Sequence, residues 1–380
     1  MLDAVGGTDV PPILLLIHHK DESHTTMFDL TIRKRPETLG WTAALIYCGA
    51  VVMSLVISAG MLLFQGNSPL EGLGLLLQGA FGSSYAIEDC LIKAIPIYLC
   101  SLGVAIAFRL QIWNIGAEGQ FAFGAIGATW VAISFPGHSA WVMIPAMMAA
   151  AFLFGGLWGV IPAVLKLKAK ANEIIVTLML NYIAILFLDY LVYGPWKSPD
   201  SFGFPMTQEF SAGAIIGKIG ETNLNWGLLI CVLSGLVIYV FFRFTLMGFE
   251  LKASGENVRA ARYARLPYER LVIISMFLSG AFAGWAGFVE ASATLNRLQP
   301  TIMVGYGYTA IVVAWLARLN PFYIGISSFL LAGLRVGVEN LQLELQVPAA
   351  FGEIMEGLIL LTILAGTFFV NYRFARRQRP

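Results

Sequence analysis

Uncharged apolar stretches of about bilayer thickness recur along most of this chain. A bilayer core of about 30 Å requires roughly 20 apolar residues per helix, and most of these stretches meet that length. Only 12% of the residues are charged and 58% are hydrophobic, against about 25% charged in an average soluble domain. We therefore predict an all-α, polytopic integral membrane protein, because a helix satisfies its own backbone hydrogen bonds in lipid.

Ten stretches are predicted to cross the membrane. They cover residues 41–64, 91–108, 117–135, 141–165, 174–193, 226–242, 272–290, 306–318, 321–338 and 353–371. The eighth and ninth are short and are separated by Asn320-Pro321, so a single broken element is an alternative there. The longer connecting segments, 65–90 and 194–225, contain aromatic residues, Gly and Pro and are predicted to be interfacial helices or caps.

The distribution of Lys and Arg predicts the orientation. With the N-terminus in the cytoplasm, 19 of the 24 basic residues fall on the inner side of the membrane, as the positive-inside rule requires. The outer side keeps five, which are Lys93, Lys197, Lys218, Arg297 and Arg335. Both termini are therefore predicted to be cytoplasmic, in agreement with an even number of spans.

This topology divides the chain into three predicted parts. Residues 1–40 form a cytoplasmic extension, 41–371 form the membrane domain with a cytoplasmic segment at 244–271, and 372–380 form a basic cytoplasmic tail.

The first 26 residues do not resemble a signal peptide. PPILLLI at 11–17 is too short to span, and the head before it is acidic where a signal peptide is basic. We hypothesise that translation starts at Met27, and an intact mass of the native protein that includes Met1 would exclude this.

Several classes of site are excluded by the residues available. A net charge of +1 gives no electrostatic footprint for nucleic acid. Beyond the polar head only His138 remains, and the four Cys residues form no C-x-x-C pair, so we predict no metal site and no catalytic residues. GAIIGKI at 213–219 has one spacer too few for a Walker A motif, so any ATP hydrolysis is expected in another subunit.

A polar, Gly-rich interruption lies where an apolar stretch should continue, in QIWNIGAEGQFAFGAIGA at 111–128. Non-helical backbone at membrane depth must be buried in protein or line a cavity, and an intramembrane carboxylate indicates a functional site. Asn114, Glu118 and Gln120 are therefore predicted site residues. The alternative is that Glu118 only braces a neighbouring helix, with its charge held by Arg109 or by backbone amides.

A second interruption, GYGYTAIVVAWLARLNP at 305–321, contains Tyr306 and Tyr308. Paired interruptions in two halves of a chain point to a transporter's central site, so we predict an internal repeat around a central pathway, built from spans 2 to 5 and 7 to 10. Thr177 and Asn181 in the fifth span share a helix face. Contact with a solute and an interhelical hydrogen bond are both consistent with Asn181.

The basic segment FELKASGENVRAARYARLPYERL at 249–271 is predicted to break at Gly255. After Asn257, small residues and arginines at helical spacing indicate a short helix that presses into a partner's groove. An ordinary basic loop that only sets topology is the alternative.

Four motifs, taken together and in order, resemble a known family. They are NIGAEGQ at 114–120, NEIIVTLMLNYIA at 172–184, ASGENVRAARYA at 253–264 and GYGYTAIVVAWLARLNP at 305–321. The chain resembles, over about residues 40–371, the membrane permease subunits of bacterial ABC importers, in the branch that includes ribose, branched-chain amino acid and nucleoside systems. The second and third motifs look most like nucleoside or simple-sugar permeases.

The resemblance implies a set of partners in the bacterial inner membrane. These are a cytoplasmic ABC ATPase that binds ATP and Mg²⁺, a second permease subunit, identical or homologous, and an extracytoplasmic binding protein or lipoprotein. It implies no cofactor on this chain itself. It also implies a translocation path bordered by the two interruptions, and we assign to that path Asn114, Glu118, Gln120, Thr177, Asn181, Tyr306 and Tyr308. Residues 253–264 would be the segment coupled to the ATPase, with Gly255, Glu256, Asn257, Arg259, Ala261, Arg262 and Tyr263.

Two departures from the family pattern stand out. The family usually has Gly where Arg265 stands, and Leu-Leu-Gly-Arg where this chain has Trp315-Leu316-Ala317-Arg318. The first affects the contact with the ATPase, and the second affects the wall of the path.

The sequence thus predicts a permease subunit of an ATP-driven importer for a small polar solute, namely a nucleoside, with a simple sugar or a branched-chain amino acid as alternatives. A second class of function is an ion- or proton-coupled secondary transporter in which Glu118 titrates. A membrane enzyme acting on lipids lacks the paired carboxylates or metal ligands that it would need.

Overall fold

The computed structural model describes residues 30–34 and 41–376. Most of the predicted N-terminal extension, including the proposed start at Met27, and the last four residues of the tail lie outside this range.

Thirteen α-helices make up most of the described chain. They are α1 (Trp41–Phe64), α2 (Pro69–Phe81), α3 (Ser84–Arg109), α4 (Ala117–Ser134), α5 (Ala140–Ala169), α6 (Glu173–Tyr193), α7 (Gly227–Phe244), α8 (Leu246–Glu256), α9 (Val258–Tyr263), α10 (Tyr268–Val289), α11 (Tyr306–Leu316), α12 (Pro321–Leu345) and α13 (Ala349–Asn371). Short 3₁₀ turns lie at Ala212–Ala214 and Pro300–Ile302, and a π-helical turn, Glu290–Leu295, continues α10.

Each of the ten predicted spans coincides with a helix. In the described chain, seven helices are long and apolar enough to cross a membrane, and residues 52–64 and 300–316 form shorter apolar helices. The eighth and ninth predicted spans are two separate helices, α11 and α12, joined by a turn in which Arg318 and Leu319 have left-handed backbone. The chain is therefore an all-α polytopic membrane protein.

The long segments between spans adopt different structures. Residues 69–81 form α2, whereas 194–226 is largely irregular and folds against the π-helical turn that follows α10. There the backbone amides of Thr207, Phe210 and Ile216 donate to the carbonyls of Leu298, Asn296 and Ser292, at 2.8–3.1 Å. The irregular backbone is thus satisfied by other backbone, as a cap over the helix ends requires.

The centre of the bundle is the contact of α10 with α5, and α3 and α4 also pack against α10. Gly155 and Gly280 meet here so closely that a Cβ on either would overlap the other's carbonyl oxygen. Each helix carries a Gly-x-x-x-Gly motif, Gly155 to Gly159 in α5 and Gly280 to Gly284 in α10. Both motifs pack within the subunit, as small residues do in lipid.

A second, smaller core lies at one side of the bundle. It joins α1 and α2 to α12 and α13 through Leu62, Leu76, Leu341 and Met355. The strand β1 (Leu30–Lys34), which precedes α1, pairs antiparallel with β2 (Tyr372–Arg376), which follows α13. The two ends of the described chain therefore lie on the same side of the bundle.

The predicted break at Gly255 is wrong. Helix α8 continues through Gly255 to Glu256, and the break falls at Asn257, whose backbone is extended. The Asn257 side chain accepts a hydrogen bond from the Ala260 amide at 3.0 Å and so caps α9, the predicted short helix. Glycine is required at position 255 for a different reason. A Cβ there would overlap the Arg109 carbonyl oxygen at the end of α3.

We expect Gly155→Ala to destabilise the bundle, since overpacking costs about 1–3 kcal/mol. Thermal melting of the detergent-purified protein measures this. Gly60→Ala in α1 is the matched control, because a Cβ there meets nothing within 4 Å. Equal melting temperatures for both variants would contradict the close packing of α5 and α10.

Candidate functional site

The first interruption is a fixed turn at membrane depth. Between α3 and α4, the Asn114 side-chain amide donates to Ser279 Oγ at 2.8 Å and to Gln120 Oε1 at 2.9 Å. Its oxygen accepts from the Gly116 amide at 2.9 Å. Since Ser279 lies in the middle of α10, the turn lies well inside the bundle, and both Asn114 and Gln120 are buried.

Glu118 joins the two interruptions. Its carboxylate accepts hydrogen bonds from the backbone amides of Gly305 at 2.9 Å and Gly307 at 2.6 Å. These are the first amides of α11, where the helix dipole and the unpaired N–H groups favour an anion. Arg109 is not its partner, because that guanidinium lies 3.6 Å from the ring centroid of Phe242. Glu118 therefore caps α11, as the bracing alternative proposed.

Helix α6 supplies the third part of this network. Asn181 accepts from the Gly119 amide and donates to the Ile115 carbonyl, both at 2.9 Å, and donates to the Tyr308 hydroxyl at 3.1 Å. Thr177 Oγ1 accepts from the Ile115 amide at 3.3 Å. The side chains of α6 thus satisfy backbone groups that the interruption leaves without helical partners.

The seven predicted path residues all come together where α4 and α11 begin. Six of them are buried, and five of those are hydrogen-bonded within the subunit, whereas the ring of Tyr306 packs edge-on against Phe121. Tyr308 alone of the seven is substantially exposed, at 38%. We call these seven residues the junction network. Within this subunit the polar side chains of the five buried, hydrogen-bonded members are engaged with each other and with backbone, and Tyr308 keeps part of its ring exposed.

A charged group beside the network was not found from the sequence. Arg335 of α12 donates to the Val304 carbonyl at 2.6 Å, and its guanidinium lies 5.0 Å from the ring centroid of Tyr306. Glu339 is ion-paired with Lys93 and lies 4.0 Å from Arg335. Arg335 and Glu339 are four residues apart on a helix, a spacing that indicates an ion pair, but the distribution of basic residues predicts only that Arg335 and Lys93 lie on the outer side.

Buried Glu290, at the start of the π-helical turn, was also missed. Its carboxylate accepts from Thr294 Oγ1 at 3.4 Å. A carboxylate at the end of an apolar run was the available signal, and π-turns are frequent at functional sites.

The predicted coupling residues fall into two groups. Gly255 and Ala261 are buried, and they attach the segment to the bundle. Glu256, Arg259, Arg262 and Tyr263 are exposed, together with the capping residue Asn257. The exposed group forms a basic surface with one aromatic side chain.

Both family departures have structural counterparts. Arg265 has a φ of 59°, in the left-handed region that glycine adopts most easily. Trp315 stacks on Trp113 of the first interruption, with 5.3 Å between ring centroids and 25° between ring planes. Ala317 is buried.

Comparison with known proteins gives a consistent result. Residues 86–364 match the family model described as branched-chain amino acid transport system / permease component. A glucose ABC transporter permease of Haloferax volcanii is 31% identical, covering 91% of this chain and 93% of its own length. A guanosine ABC transporter permease of Bacillus subtilis is 32% identical over 87% and 95% of the two chains. A nucleoside ABC transporter permease of Lactococcus lactis is 30% identical over 77% and 83%.

We expect Glu118→Gln to destabilise the protein by about 1.5–3 kcal/mol, the usual contribution of hydrogen bonds to a charged group. The amide offers one acceptor oxygen, and its NH₂ group would face an N–H donor. Melting of the purified protein measures this, with exposed Glu221→Gln in the segment between α6 and α7 as the control. A variant as stable as the control would contradict the capping role.

Proposed function

Since the chain belongs to the permease-component family of branched-chain amino acid transport systems and is the permease subunit of an ABC importer, we propose that the solute it carries is a nucleoside. Two of the relatives described above are named for guanosine and for nucleosides, and a third is named for glucose. A sugar is therefore the alternative substrate, and a hydroxylated sugar ring is common to both kinds of solute. The observation that carries the proposal is the exposed phenol of Tyr308, which is held by Asn181 at the junction network.

The importer is driven by a separate ATPase subunit, as in other permeases of this family. We propose that the exposed residues of α8 and α9 dock on that ATPase, which binds ATP and Mg²⁺. Arg259 and Arg262 would supply charge, and Tyr263 would supply an anchoring side chain. We call α8 and α9 together the docking segment. Buried Gly255 and Ala261 hold it against the bundle.

The proposed coupling route follows contiguous contacts. Gly255 lies against the Arg109 carbonyl, so displacement of α8 acts on the end of α3. The chain from Gln111 to Gly116 follows at once, and Asn114 ties it to α10. Glu118, in the first turn of the next helix, α4, ties that helix to α11. ATP-driven movement of the docking segment would thus shift both interruptions together and alternate the access of the path between the two sides of the membrane.

Other exposed surfaces of the subunit are available to the remaining proposed partners. The face of α6 that carries Ile175, Met179 and Tyr182 is exposed, and we propose that a second permease subunit and membrane lipid cover such apolar faces. The cap at 194–226 would receive an extracytoplasmic binding protein or lipoprotein. The pairing of β1 with β2 supports a common side for both chain ends, and the basic residues favour the cytoplasm.

Proton coupling through Glu118 is not supported as an alternative. The carboxylate is used to cap α11, and the family is one of ABC permeases.

We expect deletion of the gene to abolish uptake of radiolabelled nucleosides while leaving uptake of branched-chain amino acids unchanged. The measurement compares cells with and without the gene, with the partner genes present, and includes ribose and glucose. Loss of sugar uptake alone would replace the substrate without changing the class of transporter.

We expect Arg259→Glu/Arg262→Glu to weaken association with the ATPase more than about tenfold, because like-charge contacts at an interface cost several kcal/mol. Co-purification of the ATPase with tagged permease measures it. Lys168→Glu, an exposed cation at the end of α5, is the control. If uptake were lost while association stayed intact, docking by these arginines would be contradicted.

A further inference from the structure

The stacked pair Trp113 and Trp315 is an exposed aromatic surface where the first interruption meets α11. The side chains are 42% and 38% exposed, and their rings lie nearly parallel. Phe108 supports both from behind, with ring centroids 5.3 Å from Trp113 and 6.0 Å from Trp315. The pair therefore has ring surface left over that packing within the subunit does not use.

Trp113 is fixed by its neighbours. It lies between buried Ile112 and buried Asn114, and Asn114 is held by Ser279 and Gln120. Phe108 and Trp315 then set the orientation of its ring. An aromatic surface that is already ordered loses little conformational entropy when a solute binds to it.

The pair continues the exposed face of Tyr308. Tyr308 and Trp315 are seven residues apart on α11, so they project from the same side of the helix. Ile311 and Val312 between them are half-buried, whereas Val313 and Ala314 are buried against the bundle. One stripe of α11 thus carries a phenol at one end and an indole pair about 10 Å further along the helix axis.

The indole N–H groups are available as donors. Elsewhere in the subunit, Trp285 Nε1 donates to the Met148 carbonyl at 3.1 Å. Neither Trp113 nor Trp315 donates from its indole to any residue that the structure describes. The site therefore offers two ring faces and two free N–H groups, which suits a planar ring with acceptor atoms at its edge.

We propose that Trp113 and Trp315 form a stacking site for the heteroaromatic base of the nucleoside, in the half of the path that follows Tyr308. This rests on the proposed function and adds the residues that distinguish a base-bearing solute from a simple sugar. The base stacks on the indole pair, and the ribose hydroxyls lie toward the Tyr308 phenol. A sugar without a base gains nothing from the indoles.

The test is uptake by cells that produce the complete transporter with Trp113→Leu, Trp315→Leu or Trp315→Phe. We expect each Leu variant to reduce guanosine uptake about fivefold or more, as loss of one base–aromatic stack does. Uridine uptake should fall less, because a pyrimidine presents a smaller ring. Trp315→Phe should retain most guanosine uptake. The control is Trp141→Leu, which removes a 91% exposed indole at the start of α5.

The outcomes separate the two proposals. Wild-type cells that import sugar and no nucleoside would overturn the proposed substrate and the stacking site with it. Nucleoside uptake that is equal in wild-type and Leu variants would overturn the stacking site alone. Equal loss of guanosine and uridine uptake in the Leu and Phe variants, with less transporter in the membrane by immunoblot, would overturn it in favour of a packing role.

Discussion

The need to satisfy backbone polar groups away from water determines how this bundle is built. Two helices begin inside it, α4 and α11, and each exposes amides that have no partner in their own helix. Glu118 meets those of α11, and Asn181 meets groups beside the start of α4. Because the partners come from different helices, the four elements α4, α6, α10 and α11 are held as one unit. The exposed stripe of α11 depends on this unit for its position.

Close helix contacts make that unit possible. At Gly155 and Gly280 the backbones of α5 and α10 are in contact. Van der Waals attraction between many atom pairs therefore holds the two helices together. Because these helices are close together, the Asn114 side chain reaches Ser279 of α10, and Gln120 reaches α5. The packing is therefore a precondition for the polar contacts, and a rigid frame is what an alternating transporter needs around a weak, transient site.

The sequence predicted features that depend on neighbouring residues and missed those that depend on distant ones. The ten helices followed from the length and polarity of local stretches, and the interruptions followed from Asn114, Glu118 and the glycines near them. The partner of Glu118 did not follow, because Gly305 is 187 residues away. The break in the docking segment was placed at Gly255, since glycine is a familiar helix breaker, whereas that glycine serves a close contact and the cap of Asn257 makes the break. Glu290 was missed because its signal was a single charge at the end of a predicted span, and Arg335 was missed because the Val304 carbonyl that it contacts is 31 residues away.

The side core formed by α1, α2, α12 and α13 also bears on biosynthesis. Leu62 and Leu76 emerge from the ribosome early, but they pack against Leu341 and Met355 near the end of the chain. The first helix therefore enters the membrane long before α12 and α13 exist. Until the final span is inserted, lipid or a chaperone must cover the apolar face of α1 that later packs against α12 and α13. The main bundle around α10 can assemble first, and closure of the side core is the last step that completes the subunit.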